Sequence, residues 1–211
     1  MSELKKILSI EKYKGSTYCV EIENEDNIYL HSSIISEFHL KADMTIPQPA
    51  LEEVVFQNDY RKAKERALYL LDYRDHSYKE LYDKLRKNYS PEICKTVMDK
   101  LCEIGVIDDR KYAQRYARYL FEVKKSGKYK AKAEMFKKGI DKDIINEFLD
   151  EYDEDTTDRL KDLVEKKYAR YLVDQKGVQK VFNALVRYGY SYSDVKAVIK
   201  EFMDEVEFNG D

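Results

Sequence analysis

The sequence predicts a mainly α-helical fold: three tandem three-helix repeats in an elongated curved array, preceded by a small N-terminal β-containing unit. Three observations predict it. The pentapeptide YARYL stands at 116–120 and again at 168–172, with a looser copy, RALYL, at 66–70. A second register runs through Ser77, Gly127 and Gly177, 50 residues apart, and Gly139 and Gly189 follow 12 residues after the last two positions. Composition agrees, since 43% hydrophobic and 37% charged residues with seven Gly and three Pro suit a helix-rich, water-soluble chain. A period near 50 means modules stacked in a row, each burying its apolar face against the next.

Residues 1–58 read differently. ILSIEKY, STYCVEI and NIYLH are rich in Ile, Tyr and Val, and Lys14-Gly15 separates the first two as a turn. This predicts three short antiparallel strands and then a short helix from Ser33 to Phe38. Pro47 and Pro49 in IPQPAL mark a boundary before a long helix toward residue 73.

The repeats are predicted at 59–108, 109–157 and 158–211. The first helix of each carries the pentapeptide, with Ala67 and Leu70, Ala117 and Leu120, or Ala169 and Leu172 facing the core. The second starts at the Ser or Gly of the second register. Ser77 with Glu80 forms a capping box there, and Leu81 and Leu85, Ala131 and Met135, or Val181 and Leu185 point inward. Gly139 and Gly189 end it, and Asn88 stands in for Gly in the first copy because Asn also tolerates a left-handed backbone. The third helix starts at Ser90-Pro91, at Asp141 or at Ser193.

Three cysteines without a CxxC pair predict reduced, mostly buried thiols. No apolar run reaches membrane-spanning length, and MSELKKILSI lacks the apolar core of a signal peptide, which predicts a cytosolic location. The net charge of −3 hides unevenness: residues 110–142 carry twelve Lys and Arg against three acids, and residues 143–158 carry eight acids and no base.

In order, these features resemble the RecX family, regulators of the RecA recombinase. Arg74-x-x-Ser77-x-x-Glu80-Leu81 looks like one family pattern. Leu101, Gly105, Ile107, Asp108, Asp109, Tyr112 and Ala113 look like a second, and Gly127 through Gly139 like a third. The resemblance spans about residues 60–205. It implies binding to the RecA filament on single-stranded DNA, with inhibition of its ATPase, strand exchange and coprotease activity. Single-stranded DNA alone is expected to bind weakly, and the chain is expected to be a monomer.

The candidate partner- or DNA-binding set is Lys124, Lys125, Lys128, Tyr129, Lys130, Lys132, Lys137 and Lys138, extended by Arg110, Arg115 and Arg118 on the preceding helix. Clustered cations repel one another, so phosphates or an acidic protein surface would suit them. The competing reading is a solvated face balanced by the acids of 143–158. A helix-turn-helix-like module that binds DNA directly is the alternative function, against which stands the lack of an Arg/Asn/Gln-rich recognition helix in every copy. His31, His39 and His76 have no metal-ligand spacing, and no phosphate loop or nucleophile motif occurs. The chain is therefore not expected to be an enzyme, nor to need a cofactor or metal.

Overall fold

The computed structural model describes residues 3–152 and 156–208, with side chains as far as 203. The chain forms two compact units, one up to Asp75 with Leu81–Val106, the other His76–Glu80 with Ile107 onward.

The first unit opens with four antiparallel strands, β1 (Leu4–Lys14), β2 (Thr17–Ile22), β3 (Ile28–His31) and β4 (Thr45–Pro47), in the order β3-β2-β1-β4. The sequence predicts three. The fourth is the three-residue TIP at the proline boundary, which pairs Leu4, Lys5 and Lys6 with Pro47, Ile46 and Thr45. Proline reads as a strand breaker because it lacks an N–H, but it is tolerated on an edge strand. Ile7, Val20, Ile22, Leu30 and Ile46 fill the buried side, joined by Ile34 of α1 (Ser32–Glu37).

The long helix α2 (Gln48–Tyr73) covers that core with Leu51 and Val54. One turn further on, Asn58 is buried against edge strand β3. Its Oδ1 accepts from the His31 N–H at 3.0 Å and its Nδ2 donates to the Tyr29 carbonyl at 3.2 Å. Two backbone groups of the edge strand are thereby satisfied by a helix, which closes that edge to further pairing.

After α3 (Tyr78–Leu85) comes α4 (Pro91–Glu103), which packs against α2. Ser90 caps α4 by accepting from the Ile93 N–H at 3.3 Å, and Pro91 occupies the first turn, where a missing N–H costs nothing. Two expectations fail in this unit. Asn88 is not left-handed; the Asn88 and Tyr89 N–H groups both donate to the Leu85 carbonyl, so a tight right-handed turn closes the helix without a positive φ. Of the thiols, only Cys94 is buried, while Cys19 is half-buried and Cys102 exposed. Eight residues at 3.6 per turn leave an offset of roughly 80°, enough to turn Cys102 away from the core.

The second unit holds α5 (Asp109–Arg118), continued by a π-helical turn over Tyr119–Val123, then α6 (Lys128–Lys137) and α7 (Lys142–Glu151). Tyr112, Ala113, Ala117, Leu120, Phe121, Ala131 and Met135 form their core with Ile145, Phe148 and Leu149. A second core lies among α8 (Thr156–Leu163), α9 (Gln175–Arg187) and α10 (Tyr192–Phe208), and includes Leu160, Val164, Leu172, Val181, Leu185, Tyr190 and Val195.

The second YARYL, at 168–172, departs from its predicted helix. α8 passes into a π-helical turn (Val164–Tyr168) and a 3-10 turn (Ala169–Tyr171), so Leu172 is buried but Ala169 is exposed. The broken winding moves Ala169 off the face that Ala67 and Ala117 occupy. Gly177 also lies inside α9 rather than at its start, because Asp174 captures the Gly177 N–H at 2.6 Å and caps the helix three residues early.

Candidate partner interface

The motif residues converge on a joint within the second unit. Ser77 Oγ accepts from the Glu80 N–H at 3.2 Å and donates to the Lys138 carbonyl at 2.5 Å. Glu80 accepts from Lys138 Nζ at 2.6 Å and from the Tyr112 hydroxyl at 3.0 Å. Asp109 Oδ1 takes the Tyr78 N–H at 2.7 Å, while burial pushes its carboxyl up. Asp108 caps α5 through the Lys111 N–H at 3.0 Å, and that bond holds its carboxyl below the usual range.

A second joint repeats the first one module later. The Gly127 N–H donates to the Tyr188 carbonyl at 2.8 Å and the Tyr129 N–H to the Gly189 carbonyl at 3.1 Å. Lys138 and Tyr188 are equivalent positions, each just before a left-handed glycine, with φ +75° at Gly139 and +92° at Gly189. In both joints the opening of the module's second helix receives a carbonyl from the following turn, as its positive end favours. A Cβ on Gly127 would lie 2.3 Å from the Gly189 backbone, so the small residue is required by the approach. At the corresponding place in the last module, Gly177 meets its own chain: a Cβ there would lie 1.9 Å from the Tyr171 carbonyl oxygen.

The same joint fixes the basic loop before α6. The Tyr190 hydroxyl donates to the Lys125 carbonyl at 3.1 Å, and Lys125 is held left-handed at φ +51°. Burial pushes the Tyr190 phenol up to about 12.

Many of the predicted basic residues are neutralised. Arg110 forms a two-pronged pair with Glu147 and lies over the Phe148 ring. Lys128 meets Asp150 at 3.3 Å, Lys137 meets Glu134 at 3.0 Å, and Arg118 meets Glu122 at 3.7 Å. Lys138, with its carboxylate partner Glu80 and the Tyr116 ring beneath it, belongs to the first joint. Lys132 donates to the Asn146 side chain at 3.0 Å, and Arg115 Nε to the Lys111 carbonyl at 3.4 Å. Among the described residues, Lys124, Lys125, Lys130 and Lys132 face no carboxylate at ion-pair distance. Lys124 lies over Tyr119, Lys130 lies over Tyr188, and Tyr129 is 67% exposed beside them. The acids of α7 thus cancel one part of the basic run and leave the loop and the outer side of α6 positive.

Three family models match in sequence: the first RecX three-helix domain at residues 63–101, the second at 108–149 and the third at 153–199. The chain belongs to the RecX family. It is 31% identical over 193 residues to the regulatory protein RecX of Streptococcus sanguinis, covering 90% of this chain and 74% of that one. With the regulatory protein RecX of Clostridioides difficile it shares 28% over 208 residues, 96% of this chain and 98% of the relative. A crystal structure of RecX from Lactobacillus salivarius superposes with a TM-score of 0.62 at 29% identity, covering 69% of this chain and 97% of that chain. A second crystal structure of a regulatory protein RecX gives 0.67 at 24% identity over 93% and 99%, a likeness of fold.

The RecX motif residues are thus occupied with capping helices and joining modules. Among the described residues no helix is long and apolar enough to cross a membrane, and no group of His, Cys, Asp and Glu is placed to hold a metal ion. One basic cluster escaped the sequence reading. Lys167 donates to the Tyr188 hydroxyl at 2.7 Å, which raises the lysine and lowers the phenol. Arg170 lies 4.8 Å above the Tyr171 ring. The signal was present in KKYARY, bases interleaved with tyrosines, but the repeat pattern read that stretch as a core-facing helix through Ala169 and Leu172.

Proposed function

We propose that the protein regulates the RecA recombinase by binding the RecA filament on single-stranded DNA and inhibiting its ATPase, strand exchange and coprotease activity. Membership of the RecX family carries the reading. The serial modules, taken at 59–108, 109–157 and 158–211, support it physically: several weak contacts made together along a repeating polymer gain affinity by raising effective concentration. Lys124, Lys125, Lys130 and Lys132, with Tyr129 beside them, are the contacts we assign to the filament or its DNA. Lys128, Lys137, Lys138 and Arg110 support the surface from their ion pairs. The protein acts in the cytoplasm as a monomer and binding component rather than a catalyst.

The test is RecA ATPase on single-stranded DNA with the protein titrated in. Loss of ATPase near one molecule per few RecA subunits is expected for binding along the filament; loss at far lower amounts would mean end-capping. If the protein binds the filament no more tightly than the bare strand and leaves the ATPase unchanged, the proposal fails.

A further inference from the structure

The last module carries a cleft outside the basic run of the middle module. The π-helical and 3-10 turns of 164–171 bend the chain before α9, and an open cleft of about 590 Å³ lies against the bend. Lys167, Arg170, Lys176 and Lys180 line it. Among the described lining residues the one acid, Asp174, is engaged in capping α9 through the Gly177 N–H. Among the described residues no carboxylate lies at ion-pair distance from Arg170, Lys176 or Lys180, in contrast to the paired bases of α5 and α6. Tyr171, 47% exposed, offers a ring at the same place, and close contact between Gly177 and the Tyr171 carbonyl fixes that residue against α9. Lys167 of the cleft and Lys130 of the middle module both lie over the Tyr188 ring, at 5.1 and 5.4 Å.

Unpaired cations beside an exposed ring suit a ligand that brings negative charge and a flat face together. An acidic peptide would use the cations and leave the ring idle, whereas single-stranded nucleic acid uses both, because every base has a stacking face and every step a phosphate. We propose that the cleft holds one nucleotide step of a single strand, with a base on Tyr171 and the flanking phosphates against Arg170, Lys176 and Lys180. The inference rests on the strand-contact part of the proposed function and does not require the recombinase.

The experiment is anisotropy of a labelled twelve-residue oligothymidylate with the full chain, over a range of salt, with no RecA present. Lys176→Glu with Lys180→Glu should weaken binding at least tenfold and flatten the salt dependence by about 1.4 in logarithmic slope, roughly 0.7 for each lost phosphate contact. Tyr171→Ala should weaken it by about fivefold to a hundredfold, the range that base stacking gives, and Tyr171→Phe should restore it. An abasic strand of equal length should be insensitive to Tyr171→Ala. Lys176→Gln with Lys180→Gln replaces the reversal if circular dichroism shows that the reversed protein is unfolded. No strand binding by the parent, or parental binding by the variants, overturns the inference. So does displacement of the strand by free thymidine monophosphate at equal phosphate concentration, which would indicate a nucleotide site, or by polyglutamate, which would indicate an acidic protein partner. RecA ATPase measured with the same variants separates the two readings. A protein that inhibits the filament but binds no bare strand sinks the cleft alone; one that binds the strand but never inhibits sinks the filament reading alone.

Discussion

Two single residues carry more than their sequence neighbourhood suggests. Asn58 sits among polar neighbours on a helix and looks like an ordinary solvated position, yet it is 2% exposed and satisfies two backbone groups of β3. Asn58→Ala would leave the His31 N–H and the Tyr29 carbonyl without that partner. The expected loss is about 1–3 kcal/mol by urea unfolding, the penalty of stranded buried groups. Asn58→Asp keeps the acceptor for the His31 N–H but sets a buried carboxylate oxygen against the Tyr29 carbonyl, so it should cost at least as much as Asn58→Ala. Tyr190 gives a pH effect of defined sign. Its phenol ionises near 10 in the unfolded chain and at about 12 in the folded one, so folding prefers the neutral form. That contribution is complete below pH 10 and disappears as pH rises through 12. In this window the unfolded state has already released a proton that the folded state retains, so stability falls by up to about 1.4 kcal/mol per pH unit. Tyr190→Phe should flatten that fall in an alkaline unfolding series, and an unchanged slope would show that other tyrosines set it.

At the scale of elements, the 50-residue register records where consecutive modules touch. The sequence showed the spacing of Ser77, Gly127, Gly139 and Gly189, but the partners in each joint, Ser77 with Lys138 and Gly127 with Tyr188, are 61 residues apart and invisible to a pattern that compares like with like. Gly189 and Gly105 separate the two reasons for glycine. Both have positive φ, but a Cβ on Gly105 meets nothing within 4 Å, whereas one on Gly189 would lie 2.4 Å from Lys130 backbone nitrogen. Gly105→Ala should therefore cost about 1–2 kcal/mol from the backbone alone. Gly189→Ala should cost clearly more and loosen the loop at 124–127, seen as faster amide exchange at Gly127 and Tyr129; equal costs would refute the close-approach explanation. The elements that sequence reasoning missed share a cause. β4 is three residues long and ends in proline, and the last YARYL is wound as π and 3-10 turns, so neither follows the regular periods on which such reading depends. The identity of the third pentapeptide with the second is real, but Asp174 and the early start of α9 change what its residues face.

For the molecule as a whole, a basic run in the sequence did not translate into a basic surface of the same extent. Arg110 and Lys128 pair with Glu147 and Asp150, acids of the 143–158 stretch, and Lys137 pairs with Glu134 of its own helix. Among the described residues Lys124, Lys125 and Lys130 face no carboxylate at ion-pair distance. Which lysines belong to which group depends on the angle at which α7 meets α5 and α6, and linear charge counts contain no such angle. Two triple variants distinguish the groups. Reversing Lys124, Lys125 and Lys130 to Glu removes uncancelled charge and lowers the net charge from −3 by six. Reversing Arg110, Lys128 and Lys137 changes the net charge equally but turns ion pairs into repulsions. On the proposed function, the first variant should lose most of its affinity for the RecA filament at 0.1 M salt while keeping its unfolding midpoint. The second should lose less affinity and more stability, each exposed pair contributing at most about 1 kcal/mol. Raising the salt toward 1 M shortens the screening length from about 10 Å to about 3 Å, so the affinity gap between the first variant and the parent should close. A gap that persists at high salt would mean that these lysines make short-range contacts whose geometry, rather than field, is recognised. Equal losses from both variants would mean that net charge alone governs binding and that the division of the surface has no functional meaning.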